Sequence, residues 1–172
     1  MNKLIPQHNR SYNPVGPIGY FITFRTYGTW LHGDERGAMD RRNTHIPGTP
    51  ALQPNQYWRN WETKQLKHPA VYFNQLQRSL VDHTIREVIR YNQWQLHALR
   101  VLRDHIHVVV TALKEPEIVM GSLKSWCTRR LRENKQLSHA IKPWSRHGST
   151  RWLWTDDELK DACIYVNYRV SV

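Results

Sequence analysis

The chain has 172 residues, about 40% of them apolar, which suits one domain with one core and is short for two. Lysine and arginine number 25 against 14 acidic residues, a formal charge of +11 with a pI near 10.0. That balance favours a polyanionic partner, most simply nucleic acid, through phosphate neutralisation and counterion release. No run of 18 apolar residues occurs, which excludes a membrane-spanning helix. The first residues, Met1 to Pro6, have no apolar signal core, and Cys127 and Cys163 read as small buried hydrophobes. The expected setting is therefore the reducing cytoplasm.

Residues 1–18 hold three prolines and no periodicity and are expected to form an irregular arm ahead of a single domain over residues 19–172. Residues 19–31 (GYFITFRTYGTWL) have a strand composition. Residues 32–70, with four prolines and three glycines, read as a long loop insertion.

From Asn74, a candidate cap, the pattern turns helical as far as Asn92. Leu76, Leu80, His83, Val88 and Tyr91 form the stripe, widened by Val81, Ile85 and Ile89. Residues 94–102 and 104–111 read as two strands joined at Arg103-Asp104. Pro116 opens a helix whose apolar stripe is Ile118, Val119, Leu123, Trp126, Cys127 and Leu131. A short strand or turn is expected over 144–154. Thr155-Asp156-Asp157-Glu158 then matches a capping box for a last helix. The order describes an α+β fold: a ferredoxin-like split β-α-β-β-α-β antiparallel sheet with helices on one face, plus a C-terminal helix carrying a tyrosine.

His105-Ile106-His107 lies on the clearest strand. Residues i and i+2 of a strand share a face, so both imidazoles project together while Ile106, Val108 and Val110 enter the core. Two convergent imidazoles can hold one divalent ion; the pair alone equally fits two partly exposed polar residues. Tyr165, on the last helix, is a candidate nucleophile, with core packing as its other reading. A phenol, with a free pKa of about 10, attacks only beside a cation or an activated phosphate. Tyr168 lies on nearly the same helix face and is a second candidate.

The run HIHVVV, a basic helix after it, RWLWTDDELKDACIYV and the opening YFITFRTYGTWLHGD together resemble the IS200/IS605-type single-tyrosine (HUH) transposases, in particular the REP-associated branch. The resemblance covers about residues 19–170. It implies that His105 and His107 hold Mg²⁺ or Mn²⁺. It also implies that Tyr165 attacks a phosphate of single-stranded DNA, leaving a 5′-phosphotyrosine and a 3′-OH. No ATP is required, in keeping with the lack of a phosphate-binding GxxxxGK[ST] loop. Family members often carry a glutamine ligand four residues after the tyrosine. Here that residue is Arg169, which cannot coordinate a cation, so Asp161 is the candidate replacement.

Single-stranded or hairpin DNA is the implied partner and a homodimer the implied assembly. Arg25, Arg129, Arg130 and Arg132, with Trp58, Arg59 and Trp61 of the insertion, are the expected DNA contacts, because arginine interleaved with tryptophan suits phosphate neutralisation and base stacking. The alternative function is a catalytically inactive or domesticated single-stranded nucleic-acid-binding module of the same fold. Two-histidine phosphoesterase chemistry needs two His-x-Thr/Ser motifs, which the chain does not carry.

Overall fold

The computed structural model describes residues 16–35 and 53–169. Most of the expected arm (1–15), part of the expected insertion (36–52) and residues 170–172 lie outside the described residues.

Strand β1 (Gly19–Thr26) alternates as a half-buried strand should, with Tyr20, Ile22 and Phe24 buried on one face. The insertion is not all loop: residues Gln56–Gln65 form helix α1, capped by the Asn55 side chain, which accepts from the Trp58 N–H at 3.0 Å. None of its residues is buried, so it leaves no apolar stripe for sequence periodicity to register.

Helix α2 (Gln75–Tyr91) opens with the capping box Asn74/Gln77. Its buried face is Val81, Thr84, Ile85, Val88 and Ile89. Leu76 and Tyr91, expected in the stripe, are exposed. Strands β2 (Gln95–Val101) and β3 (His105–Thr111) form a hairpin, closed by the Leu102 N–H on the His105 carbonyl.

Helix α3 (Pro116–Glu133) has its proline in the first turn, where the missing N–H costs nothing. Val119, Met120, Leu123, Cys127 and Leu131 are buried, whereas Ile118 and Trp126 of the expected stripe point out. The expected short strand at 144–154 is the ten-residue strand β4 (Trp144–Leu153). Helix α4 (Asp156–Ile164) runs directly into a five-residue π turn, Tyr165–Arg169.

The sheet order is β2-β3-β1-β4, every neighbouring pair antiparallel, which is the ferredoxin-like α+β arrangement expected. Helices α2 and α3 cover one face through Ile22, Phe24, Ile106, Val108 and Val110. Each such fully buried aliphatic or phenyl side chain contributes about 1.5–3 kcal/mol. Helix α4 and the π turn cover the second face through Phe21, Val109, Leu153, Ala162 and Val166. Trp144 and Trp152 belong to the first layer, edge-on to Phe24 and Tyr20 respectively.

Candidate active site

Strand β3 is covered on both sides, yet one of its interior positions is a histidine. Ile106, Val108 and Val110 point to α2 and α3; His105, His107 and Val109 point to α4. His107 is only 6% exposed. Its ring and that of His105 meet edge to face at 4.7 Å. Each Nδ1 is engaged: His105 donates to Asp104 Oδ1 at 2.6 Å, and His107 is hydrogen-bonded to Thr23 Oγ1 at 2.8 Å. Burial, then the neighbouring His105, Arg25 and Arg100, pushes the pKa of His107 down to about 4, against an opposing pull from Asp104. At neutral pH this imidazole is uncharged.

Helix α4 brings the tyrosine to this pair. Thr155 Oγ1 accepts from the Glu158 N–H at 3.2 Å, and the Glu158 carboxylate takes the Trp154 N–H at 2.7 Å, which fixes where the helix starts. Burial of Ala162 and Val166 sets its rotation. Tyr165 then lies edge-on to His107, with centroids 5.7 Å apart, and to Phe21 at 5.8 Å. The ring is 42% exposed, so one side reaches solvent. Tyr168 is 77% exposed. The Tyr165 N–H is shared between the carbonyls of Asp161 and Ala162 as the α-helix gives way to the π turn. Such turns recur at functional sites. Arg169, four residues after Tyr165, ends the π turn; its side chain lies outside the described residues.

Cations surround the cluster. Arg25 is the register partner of His105, and Arg100 that of His107. The Arg100 guanidinium donates to the Asn167 carbonyl at 3.0 Å and so ties β2 to the π turn. Arg151, opposite Phe21 on β4, lines a cavity of about 410 Å³ with Asp161, Ala162, Ile164 and Tyr165. Sequence reading missed Thr23, Arg100 and Arg151, because cross-strand register carries no local signal.

The other expected residues are placed elsewhere. Asp161 shares the Tyr165 cavity but is not gathered with the histidines: among the described residues no three His, Cys, Asp or Glu side chains form a metal-holding group. Arg129, Arg130 and Arg132 sit on α3, across the sheet from His107. There Arg129 lies over Trp126, Arg130 pairs with Glu87 at 2.9 Å, and Arg132 donates to the His139 and Ile141 carbonyls. Trp58 and Arg59 are on α1, with Trp58 stacked on His32 at 5.3 Å.

The donor set accommodates an ion only in part. With Nδ1 of His105 bound to a carboxylate, the neutral ring presents Nε2 as its lone-pair nitrogen, the usual orientation of a metal-ligating histidine. Two imidazoles suit Mn²⁺ better than Mg²⁺, which prefers oxygen, and the remaining positions fall to substrate phosphate or water.

No family model matches the chain, and no curated protein does. Among solved structures, a REP-associated tyrosine transposase bound to a REP hairpin superposes with a TM-score of 0.51 at 13% identity, over 94% of this chain and 70% of that one. This chain has the fold of a tyrosine transposase. That neighbour is named for the group whose motifs the sequence resembles. A Deinococcus radiodurans R1 protein classed as a transposase matches with a TM-score of 0.46 at 12% identity, over 95% of this chain and 97% of the other.

Proposed function

We propose that the protein nicks single-stranded or hairpin DNA and passes the strand on through a 5′-phosphotyrosine at Tyr165. The observation that supports this most strongly is the edge-to-face contact of Tyr165 with His107, which joins the two motif halves in one solvent-reaching cluster. The hairpin ligand of the structural neighbour and the formal charge of +11 agree with a DNA substrate.

In the proposed step the Tyr165 phenolic oxygen bonds to phosphorus and the P–O3′ bond breaks. The phenol proton passes to Asp161, which lines the same cavity, and from Asp161 to the departing 3′ oxygen, which leaves as a hydroxyl. Arg25, Arg100 and Arg151 offset the charge that gathers on the phosphate. His105 and His107 would hold the divalent ion, Mn²⁺ or Mg²⁺, whose contribution is Lewis-acid polarisation of the phosphate. A homodimer belongs to this reading as the resemblance implies it.

Incubation with labelled hairpin DNA from the flanks of its own gene tests the proposal, with Mn²⁺, Mg²⁺ or EDTA present and denaturing gels as the readout. A metal-dependent covalent adduct lost in Tyr165→Phe is expected. An adduct that survives there and disappears in Tyr168→Phe moves the nucleophile. Salt-sensitive binding with no adduct in any metal leaves the second reading, a binding module, which the two-donor histidine set favours.

A further inference from the structure

Helix α1 is placed with care and buries nothing. Its ten residues include Tyr57, Trp58 and Trp61, which are 90%, 40% and 59% exposed, and none of its residues is buried. Polar contacts hold it. Glu62 accepts from the His32 backbone N–H at 2.7 Å and pairs with the His32 ring at 2.5 Å, while that ring stacks on Trp58. Gly33 has φ +81, and a Cβ there would lie 2.3 Å from the Asn55 carbonyl oxygen. Only glycine lets the loop come this close to the helix. Trp58 has a partner in His32, but a helix fixed in position with the Tyr57 and Trp61 rings turned outward needs an occupant for them.

Surrounding charge identifies it. Residues 53–73 contain Arg59, Lys64 and Lys67, and their one acid, Glu62, is the partner of His32. Two ring–guanidinium pairs lie in the segments on either side in the chain: Arg25 over Trp30 at 3.3 Å and Arg103 over Tyr72 at 4.7 Å. Between α1 and the loop after β1 lies a cavity of about 520 Å³ whose walls include Thr29, Arg59, His68 and Tyr72. The loop also starts close in the chain to the candidate active site. The Thr26 N–H and hydroxyl both donate to the Asp104 carbonyl, so this loop leaves the sheet beside the residue that precedes His105.

We infer that α1 and the loop after β1 form a stacking platform for unpaired bases of the DNA strand that enters the site. This rests on the DNA-processing reading and adds where the strand lies and why it must be single. Tyr57 and Trp61 present ring faces, the 520 Å³ cavity admits one turned-in base, and Arg59 and Arg103 meet the adjoining phosphates. A duplex keeps its base faces stacked inside and gains only the phosphate contacts.

Fluorescence anisotropy of the full chain with a labelled single strand, and with the duplex of the same sequence, tests the inference. Tyr57→Ala and Trp61→Ala, which remove exposed rings, should each weaken single-strand binding by about 5- to 10-fold and leave duplex binding unchanged. Circular dichroism should match the parent. The slope of log K against log salt should persist in both variants and fall in Arg59→Ala, which removes a phosphate contact. Equal losses on single strand and duplex, or no loss on either, would overturn the platform. So would loss of self-association, or of binding to phosphatidylserine vesicles, as the sole effect of Trp61→Ala. An absent adduct in the parent protein with the ring effects intact would count against the active site and leave the platform standing.

Discussion

The phenol ring of Tyr165 and the imidazole of His107 meet edge to face, 5.7 Å between centroids and 84° between planes. Strand β3 supplies one ring from the middle of a sheet buried on both faces, and the end of α4 supplies the other where the helix widens into a π turn. The sheet gives His107 rigidity, and the helix end leaves Tyr165 partly open to solvent. The proposed role of Tyr165, attack on a bulky phosphodiester beside a fixed histidine pair, needs both properties.

Thr23 holds His107 by its Nδ1 at 2.8 Å. Thr23→Val keeps the shape and removes the hydroxyl. We expect about 1 kcal/mol of lost stability and a drop of about 10-fold or more in the rate of adduct formation or in metal affinity, the usual scale for a lost histidine orienter. An unchanged rate would mean that packing alone orients the ring.

The depressed pKa of His107 makes stability depend on pH. The folded state favours the neutral ring, so between about pH 6.5, the unfolded value, and about 4, the folded one, the unfolded chain binds the extra proton. The contribution is complete above pH 6.5 and is lost as pH falls toward 4, up to about 3 kcal/mol in all. Denaturant titrations in EDTA, which keeps metal off the ring, should show this slope. They should show a shallower one for His107→Asn.

Gly148 of β4 pairs with Phe24 of β1, beside Thr23. A Cβ there would lie 2.4 Å from Met120 Sδ and 2.5 Å from the Thr23 carbonyl oxygen. Methionine can swing away; the β1 backbone cannot. Gly148→Ala should cost about 1–3 kcal/mol, read as a lower Tm, and should impair DNA processing further because Thr23 orients His107.

Much of this was legible beforehand, and the failures share a cause. Alternation around Ile106 placed both histidines on one face, and Thr155 to Glu158 announced the start of α4. Both signals lie within a few residues. Helix α1 was missed because Tyr57, Trp58 and Trp61 form no buried stripe, and Ile118 and Trp126 were misassigned because apolar residues on a helix flank fit a periodic pattern without being covered. The span of β4 was legible to within one residue, but strand and turn were not told apart because its exposed arginines, histidine and glycine mask the strand pattern. Arg100 and Arg151 emerge only from register, and the π turn from how the helix end packs on the sheet.

Arg151 lines the Tyr165 cavity with Asp161. Arg151→Ala should slow adduct formation by about 10- to 100-fold, the scale of one lost charge-stabilising donor, and change affinity for uncut DNA much less. Arg151→Lys should recover part of the rate. A purely structural role predicts instead a lower Tm and no rescue.

In the proposed reaction Tyr165 becomes covalently bonded to DNA. The most direct test is mass spectrometry of proteolysed protein after incubation with hairpin DNA and Mn²⁺, followed by nuclease digestion. A peptide containing Tyr165 that carries the mass of a 5′-linked nucleotide is expected, present with Mn²⁺ and absent with EDTA or in Tyr165→Phe. Cleaved DNA with no nucleotide on Tyr165, or the same mass on Tyr168, would contradict it.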